Sequence, residues 1–346
     1  MKVVHLLPAL DQGGVETVVC DLVRELGNRE QGTGNGWKSV VVSNGGRMVE
    51  RVERAGGRHV RLDLKSKNPL TYFLRAWRLR RLLRREKPDL VCVHSRVPAW
   101  LFVWANRGLG LRWISYAHGA NSVSRYSEVM TKGDLVIVPS RFLADYLKAN
   151  YGTPESKIRV IPNSVDAERF DPGNLDQAFI AEKRREWGIR KGDRVTMAIG
   201  RITPVKGLDE LIRGFKGGKL VIVGGADRHH RKYLESLKAL AKDGGLETGD
   251  VIFAGPQEKI PECIAIADEI VSANVTKPET FGLSVIEAYA MNRPVRAKRF
   301  GGVAEVMAAV EGAGKPTLRE AVLSLYGADR QVERTLSAYR EAVNMV

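Results

Sequence analysis

The sequence predicts an α/β protein of two doubly wound domains, each a parallel sheet covered by helices on both faces. Three observations carry that expectation. Short runs rich in Val and Ile alternate with helical patterns along all 346 residues, a length that suits two domains with a core each. The runs are apolar almost throughout, as strands buried on both faces are. One polar stretch, Asp166 to Asn174 with Pro172 and Gly173 in it, interrupts the series and marks a boundary. The expected domains are therefore 1–168 and 169–334, followed by a terminal helix over 335–346.

The opening run VVHLLPAL is short, interrupted by His5 and followed by Asp11. It reads as a first strand and not as a signal peptide. Gly13-Gly14 then make a turn into the helix VETVVCDLVREL; a glycine pair there serves turn geometry or lines a ligand site, and the residues alone leave both open. SVVVSN, LVCVHS, WISYAH and LVIVPS continue the strands of the first domain, and RVTMAIG, LVIVGG, VIFAGP and EIVSAN supply those of the second. A dinucleotide dehydrogenase is built from the same units, but the first loop has no G-x-G-x-x-G and Ser43-Asn44 offers no acid for a ribose.

The longest apolar run, around Val97 to Ala105, is shorter than the roughly 18 residues a spanning helix needs. Cys20, Cys92 and Cys263 are odd in number, far apart and without metal-ligand spacing, which fits reduced, buried thiols in a cytoplasmic protein. His229 and His230 are adjacent in a polar loop and read as surface histidines.

A pI near 9.8 and a net charge of +15 invite a nucleic-acid partner. The excess is concentrated, with +12 in residues 1–170 and +3 in 171–346, and no recognised nucleic-acid module accompanies it. Much of it falls in Tyr72 to Lys87, YFLRAWRLRRLLRREK. At 100° per residue Tyr72, Ala76, Leu79 and Leu83 form one stripe for the sheet. The other side carries Arg80, Arg81, Arg84 and Arg85 with Phe73 and Trp77, a mixture that suits an anionic bilayer surface, although a basic solvated face would look similar.

The stretch KPETFGLSVIEAYAMNRPVRA, from Lys277 to Ala297, holds Glu279 and Glu287 on either side of a helix start near Gly282. The first backbone N–H groups of such a helix are unpaired and suit a phosphate, and the two carboxylates suit hydroxyls, so the stretch reads as a site for a sugar bearing phosphate. An amphipathic helix with one capping and one solvated glutamate would share the pattern. Arg201, at the end of RVTMAIG, and Lys206, at the start of LDELIRGF, stand where a diphosphate could accept from both. His118, alone at the end of WISYAH, reads as a site histidine or as a satisfied core residue.

Taken in order, Gly13-Gly14 with Glu16, HSRVPAW from His94, His118, VPSRFLADYL, IPNSVDAERF, GRITPVKG, Glu279-x7-Glu287 and Gly301-Gly302 with Glu305 resemble glycosyltransferase family four. These are retaining nucleotide-sugar enzymes of the GT-B fold, in which two Rossmann-like domains face each other across a cleft. The resemblance implies that Arg201 and Lys206 bind the donor diphosphate, with the Gly282, Leu283 and Ser284 backbone completing the cradle. It further implies that Glu287 holds the ribose, Glu279 contacts the donor sugar, His118 reaches that sugar from the first domain, and Gly13 and Gly14 line the donor side. Ser95 and Arg96 fall on the acceptor side.

The implied reaction is front-side attack at the anomeric carbon, with the departing diphosphate taking the acceptor's proton and domain closure excluding water. The sequence has no D-x-D triplet or clustered carboxylates for magnesium, so no metal or other cofactor is expected. GGADRHHRKYLESL and FAGPQEKIPECIAIAD look most like members that build bacterial lipopolysaccharide or other surface glycans. The expected donor is a hexose or N-acetylhexosamine on UDP, the acceptor a glycan or lipid-linked glycan, and the location the cytoplasmic membrane's inner face. A sugar-nucleotide epimerase, or an inactive scaffold on the same fold, is the alternative. Two departures from the family stand out: Asn292-Arg293-Pro294-Val295-Arg296 where an aliphatic strand is usual, and the absence of a glycine-punctuated final strand after Glu305. In relatives the last helix returns to the first domain.

Overall fold

The computed structural model describes residues 1–11, 13–33, 36–243, 249–273 and 277–345, with the backbone alone described for 28–33 and 243. It comprises one unit of Met1–Ser164 with Ala328–Val346 and a second of Val165–Gly327.

In the first unit β1 (Lys2–Leu6), β2 (Lys38–Ser43), β3 (Arg58–Arg61), β4 (Leu90–Val93), β5 (Trp113–Tyr116), β6 (Leu135–Val138) and β7 (Ile158–Val160) form one sheet. All are parallel, in the order β3-β2-β1-β4-β5-β6-β7. The crossovers use α1 (Gly14–Thr33), α2 (Val49–Arg54), α3 (Tyr72–Glu86), α4 (Arg96–Ala105), α5 (Arg125–Glu128) and α6 (Arg141–Tyr151). The central strands are runs of Val, Leu and Ile with almost every residue buried, because helices cover both faces. Strand order reverses between β1 and β4, so the loops leaving those two strands diverge and open a crevice at their C-terminal ends.

The second unit repeats the plan with β8 (Val195–Ile199), β9 (Lys219–Val223), β10 (Val251–Gly255), β11 (Glu269–Ser272) and β12 (Val295–Ala297). Their order is β10-β9-β8-β11-β12, again all parallel, with the reversal between β8 and β11. The helices are α7 (Gln177–Glu186), α8 (Leu208–Arg213), α9 (Arg231–Asp243), α10 (Ile260–Ile266), α11 (Leu283–Ala290), α12 (Gly302–Glu311) and α13 (Leu318–Tyr326).

The unusual segment after Asn292 does form the edge strand β12, in register with β11 from Ile270 opposite Val295. Its arginine is tolerated because it points outward, with a guanidinium nitrogen 3.1 Å from Glu269 Oε2. Beyond Glu305 the described residues continue as α12 and α13 with no further strand, so β12 ends the sheet on that side.

The chain enters the second unit at Val165, whose N–H donates to Tyr326 O at 2.9 Å, and leaves it at Gly327. The sequence placed these crossings after 168 and 334. A last helix, α14 (Ala328–Asn344), belongs to the first unit from its first residue. It buries Val332, Leu336, Tyr339 and Ala342 against Val3, Leu26, Cys92 and Ile114, and the Tyr339 and Tyr116 hydroxyls share a hydrogen bond of 2.8 Å.

Candidate functional site

The second unit gathers its charged residues at the strand-order reversal. β8 ends at Ile199, and Gly200, at φ +146°, lets the chain turn off the strand. Its carbonyl passes so close to Gly224 that a Cβ there would overlap it, and this approach pairs the two outgoing loops through Ile202 N–H to Gly225 O, 2.9 Å. Arg201 is thereby held at the strand end, exposed and without a partner among the described residues. Thr203 is extended, Pro204–Lys206 make one 3-10 turn, and Gly207 at φ +61° closes it into α8. The turn sends Lys206 back toward β8, with Nζ 2.9 Å from Glu279 Oε1.

Glu279 arrives from β11, the strand on the other side of the reversal. Its second oxygen, Oε2, accepts from Ser272 Oγ at 3.4 Å. Its backbone is fixed by Gly301-Gly302: Gly302 N–H donates to Glu279 O at 2.8 Å, and a Cβ on Gly302 would overlap the Thr280 carbonyl. Three residues further on, Gly282 adopts φ +99° and starts α11. Val285 and Ile286 N–H both turn back to the Gly282 carbonyl, which leaves the Leu283 and Ser284 N–H groups at the helix mouth without intrahelical acceptors. Gly200, Arg201, Lys206, Ser272, Ala273 and Ser284 line one small pocket. Glu287 lies half-buried in the second turn of α11. Two cations, one carboxylate and a positive helix end thus converge within this unit, a combination that can hold a group carrying both phosphate and hydroxyls.

In the first unit the remaining residues lie on the segments that leave β1, β4 and β5. Thr17 N–H and Oγ1 both donate to Gly13 O at 3.0 Å, and Gly14 opens α1. Ser95 is the extended residue before α4, and Arg96 donates to Ser127 Oγ at 3.1 Å with its guanidinium 5.5 Å over the Tyr126 ring. His118 follows β5 and is half-buried. It is one of three linked rings: His5 Nδ1 lies 3.1 Å from His94 Nε2, and His94 Nδ1 lies 3.1 Å from His118 Nε2. Burial lowers the pKa of His5 and of His118 to about 4 and takes His94 well below its usual value, so all three are neutral at pH 7.

On α3, Ala76, Leu79, Leu82 and Leu83 are buried, and Phe73, Leu74 and Trp77 are 63%, 48% and 50% exposed. The Arg81 guanidinium sits 5.9 Å over Trp77, while Arg84 and Arg85 are exposed. Arg80, expected on the same outward face, is turned in. Its Nη1 donates to the carbonyls of Ala105, the last residue of α4, and of Arg107 in the turn that follows, at 2.7 and 2.5 Å; a helix's last carbonyls have no helical donors of their own.

Residues 12–169 match the model of Glycosyltransferase Family 4, and residues 179–314 match that of Glycosyl transferases group 1. The chain belongs to the family-four-like, GT-B glycosyltransferase family. A glycosyltransferase from Rickettsia africae superposes with a TM-score of 0.82 at 22% identity, covering 100% of this chain and 99% of that one. Anabaena HepE, solved in complex with UDP and glucose, gives 0.80 at 17% identity, covering 98% and 99%. Among curated relatives, a D-inositol 3-phosphate glycosyltransferase of Mycobacteroides abscessus is 32% identical over 181 residues. That match takes in 51% of this chain and spans only 39% of the relative's length.

Within this GT-B chain, then, Arg201, Lys206 and Ser284 line one pocket, and Glu279 joins them through Lys206. His5 and His94 are the additions, and the sequence carries a faint signal for both. Each is a polar residue in or just after a Val-rich buried strand, where it must find a partner.

Proposed function

We propose that the protein is a retaining glycosyltransferase that moves a hexose or N-acetylhexosamine from a nucleotide diphosphate, UDP by preference, to a glycan or lipid-linked acceptor of a bacterial surface polysaccharide. The observation that carries this is the Lys206–Glu279 pair at 2.9 Å, beside Arg201 and the mouth of α11. Lys206, Arg201 and the Leu283 and Ser284 N–H groups take the diphosphate, whose negative charge grows as the glycosidic bond breaks. Glu279 accepts from hydroxyls of the sugar and holds Lys206 in place. Glu287 accepts from the ribose, and His118 hydrogen-bonds the transferred sugar. The departing phosphate oxygen removes the acceptor's proton, and the two fixed cations replace a metal ion. That the Anabaena neighbour was solved with UDP and glucose favours UDP as the carrier. The test is nucleotide release from a panel of nucleotide sugars, with and without acceptor glycans, and the anomeric configuration of the product.

Among the described residues no helix is long and apolar enough to cross a membrane. A lipid-linked acceptor is reached by docking, and the outward face of α3 supplies the surface: exposed Phe73, Leu74 and Trp77 beside Arg81, Arg84 and Arg85. Apolar rings enter the headgroup layer while the guanidinium groups meet acidic lipid. Arg80 takes no part, being committed to α4.

A further inference from the structure

α4 packs between α3 and the 3-10 turn, Val129–Thr131, that follows α5. Trp100 and Trp104 stand four residues apart on it and so share one side. Phe73 of α3 meets the Trp104 ring edge-on with centroids 5.8 Å apart, and Tyr126 of α5 stacks on Trp100 at 6.4 Å and 12°. Tyr72 Oη donates to Trp100 O at 2.8 Å and Trp100 Nε1 to Tyr126 O at 3.0 Å, so a fixed row of rings crosses from α3 to α5. Around it, among the described residues, lie six of the eight most exposed large apolar side chains. Leu70, Phe73, Leu74 and Trp77 belong to α3 and the turn before it, Val123 and Tyr126 to the start of α5.

A cavity of about 610 Å³ adjoins this row, a volume in the range of small-ligand sites. Trp100, Phe102, Val103, Trp113 and Val129 give it apolar walls. Trp113 is 8% exposed, and its indole N–H has no hydrogen-bond partner among the described residues. Arg107 and Arg125 line the cavity too; both are exposed, which places them at its mouth, and neither guanidinium has a partner among the described residues. Lys132 and Glu128, also in the lining, pair with each other at 2.5 Å. Three cations against one carboxylate leave the site positive.

A soluble anion would use the arginines and waste the aromatic walls, and an uncharged hydrocarbon would do the reverse. An anionic amphiphile uses both, and the exposed apolar residues on either side of the mouth make a lipid leaflet its source. We propose that this cavity binds one acidic phospholipid, with an acyl chain along the Trp100 and Trp113 walls and the phosphate held by Arg107 and Arg125. Guanidinium groups suit a phosphate because their paired N–H donors match its oxygens. The site is separate from that of transfer: no residue assigned to donor or acceptor lines it, and Trp113 begins β5 whereas His118 follows its end. It rests on the docking proposed above for α3 only for access to lipid, and it adds to that face a place where a single molecule is held and its headgroup read.

The test titrates dodecyl phosphate, below its critical micelle concentration, into the full chain by calorimetry. One molecule per chain is expected, bound at least about tenfold more tightly than inorganic phosphate or the uncharged dodecyl maltoside, since each lacks one of the two contacts. Arg107→Ser combined with Arg125→Ser removes the mouth charges from residues without structural partners, and Val103→Trp fills the cavity from its wall. Each is expected to weaken binding at least about tenfold with unchanged circular dichroism. Replacing Arg81, Arg84 and Arg85 by serine is expected to leave this titration as in the parent while reducing sedimentation with phosphatidylglycerol vesicles. Inorganic phosphate or dodecyl maltoside binding as tightly as dodecyl phosphate overturns the inference, as does parental affinity in both cavity variants. Loss of binding in the α3 triple variant would likewise move the lipid to that helix. If the parent ignores vesicles but takes up dodecyl phosphate at this site, the docking proposal fails and the cavity assignment stands.

Discussion

Lys206 reaches across 73 residues of sequence to place its ammonium 2.9 Å from the Glu279 carboxylate, with 27% and 22% of the two side chains exposed. Each is thereby the other's positioning group. Lys206→Ala, Arg201→Ala and Glu279→Ala are expected to cut transfer by about a hundredfold or more each, the usual cost of losing a charge contact made in the transition state. Glu279→Gln breaks the ion pair but keeps a hydrogen-bonding side chain, and is expected to fall between these variants and the parent. Initial rates on protein whose circular dichroism is unchanged decide the matter; parental rates in all three alanine variants would remove the donor site from this pocket.

Turnover is expected to persist in excess EDTA, since Arg201, Lys206 and the mouth of α11 supply the positive charge that magnesium would otherwise bring. Activity abolished by the chelator and restored by magnesium or manganese would refute this.

Gly302→Ala tests the backbone beneath Glu279. Its new methyl would collide with the Thr280 carbonyl, and the N–H that holds Glu279 O would be pushed away. The expected loss is about 2 kcal/mol in urea unfolding, the scale of a small overpacking, with weaker nucleotide-sugar binding in calorimetry. A variant as stable as the parent and binding donor equally well would show that the glycine pair is not what fixes the loop.

The linked histidines set an acid limit. Their folded pKa values are depressed from 6.5, to about 4 for His5 and His118, so between those values the unfolded chain binds more protons than the folded one. Their contribution to stability is complete above pH 6.5 and is lost as the pH falls toward 4. The melting temperature should therefore drop on acidification through that window, and His5→Leu should flatten the drop. Equal slopes for parent and variant would mean that other groups govern it.

Vesicle co-sedimentation tests the α3 face. Binding should require acidic lipid, fall with salt, and weaken when Trp77 becomes alanine or when Arg81, Arg84 and Arg85 become serine, each cation contributing about 1 kcal/mol near the surface. Arg80→Ser should bind vesicles like the parent but melt lower, since its guanidinium serves the carbonyls of Ala105 and Arg107. Equal binding by parent and the triple variant would return this helix to ordinary surface.

The buried strands were legible in sequence because burial on both faces writes a continuous apolar run: LVCV and LVIV have no other good use. The edge strands β3, β7 and β12 escaped because RHVR, IRV and VRA are short and charged, as edges must be. The charged loops beside the β8–β11 reversal were legible through glycine, whose positive φ at Gly200, Gly207 and Gly282 marks where the chain must turn sharply off an element. The line from His5 to His118 was not, since it depends on which strands are neighbours, and residues 5, 94 and 118 are joined only by the order β1-β4-β5. Arg80 was misplaced for a related reason: helical periodicity gives the side on which a residue sits, but not the end of α4 that waits there.

α14 completes the sheet of the first unit after the whole of the second has intervened. During synthesis the ribosome therefore releases residues 1–164 with Val3, Cys92, Ile114 and Tyr116 lacking their last cover, and makes all of 165–327 before Tyr339 can arrive. The second unit, continuous in sequence, can fold as it emerges, whereas the first must wait as an unfinished intermediate, exposing apolar surface for the time it takes to translate its guest. A nascent chain stalled before residue 328 is thus the form of this protein most in need of a chaperone.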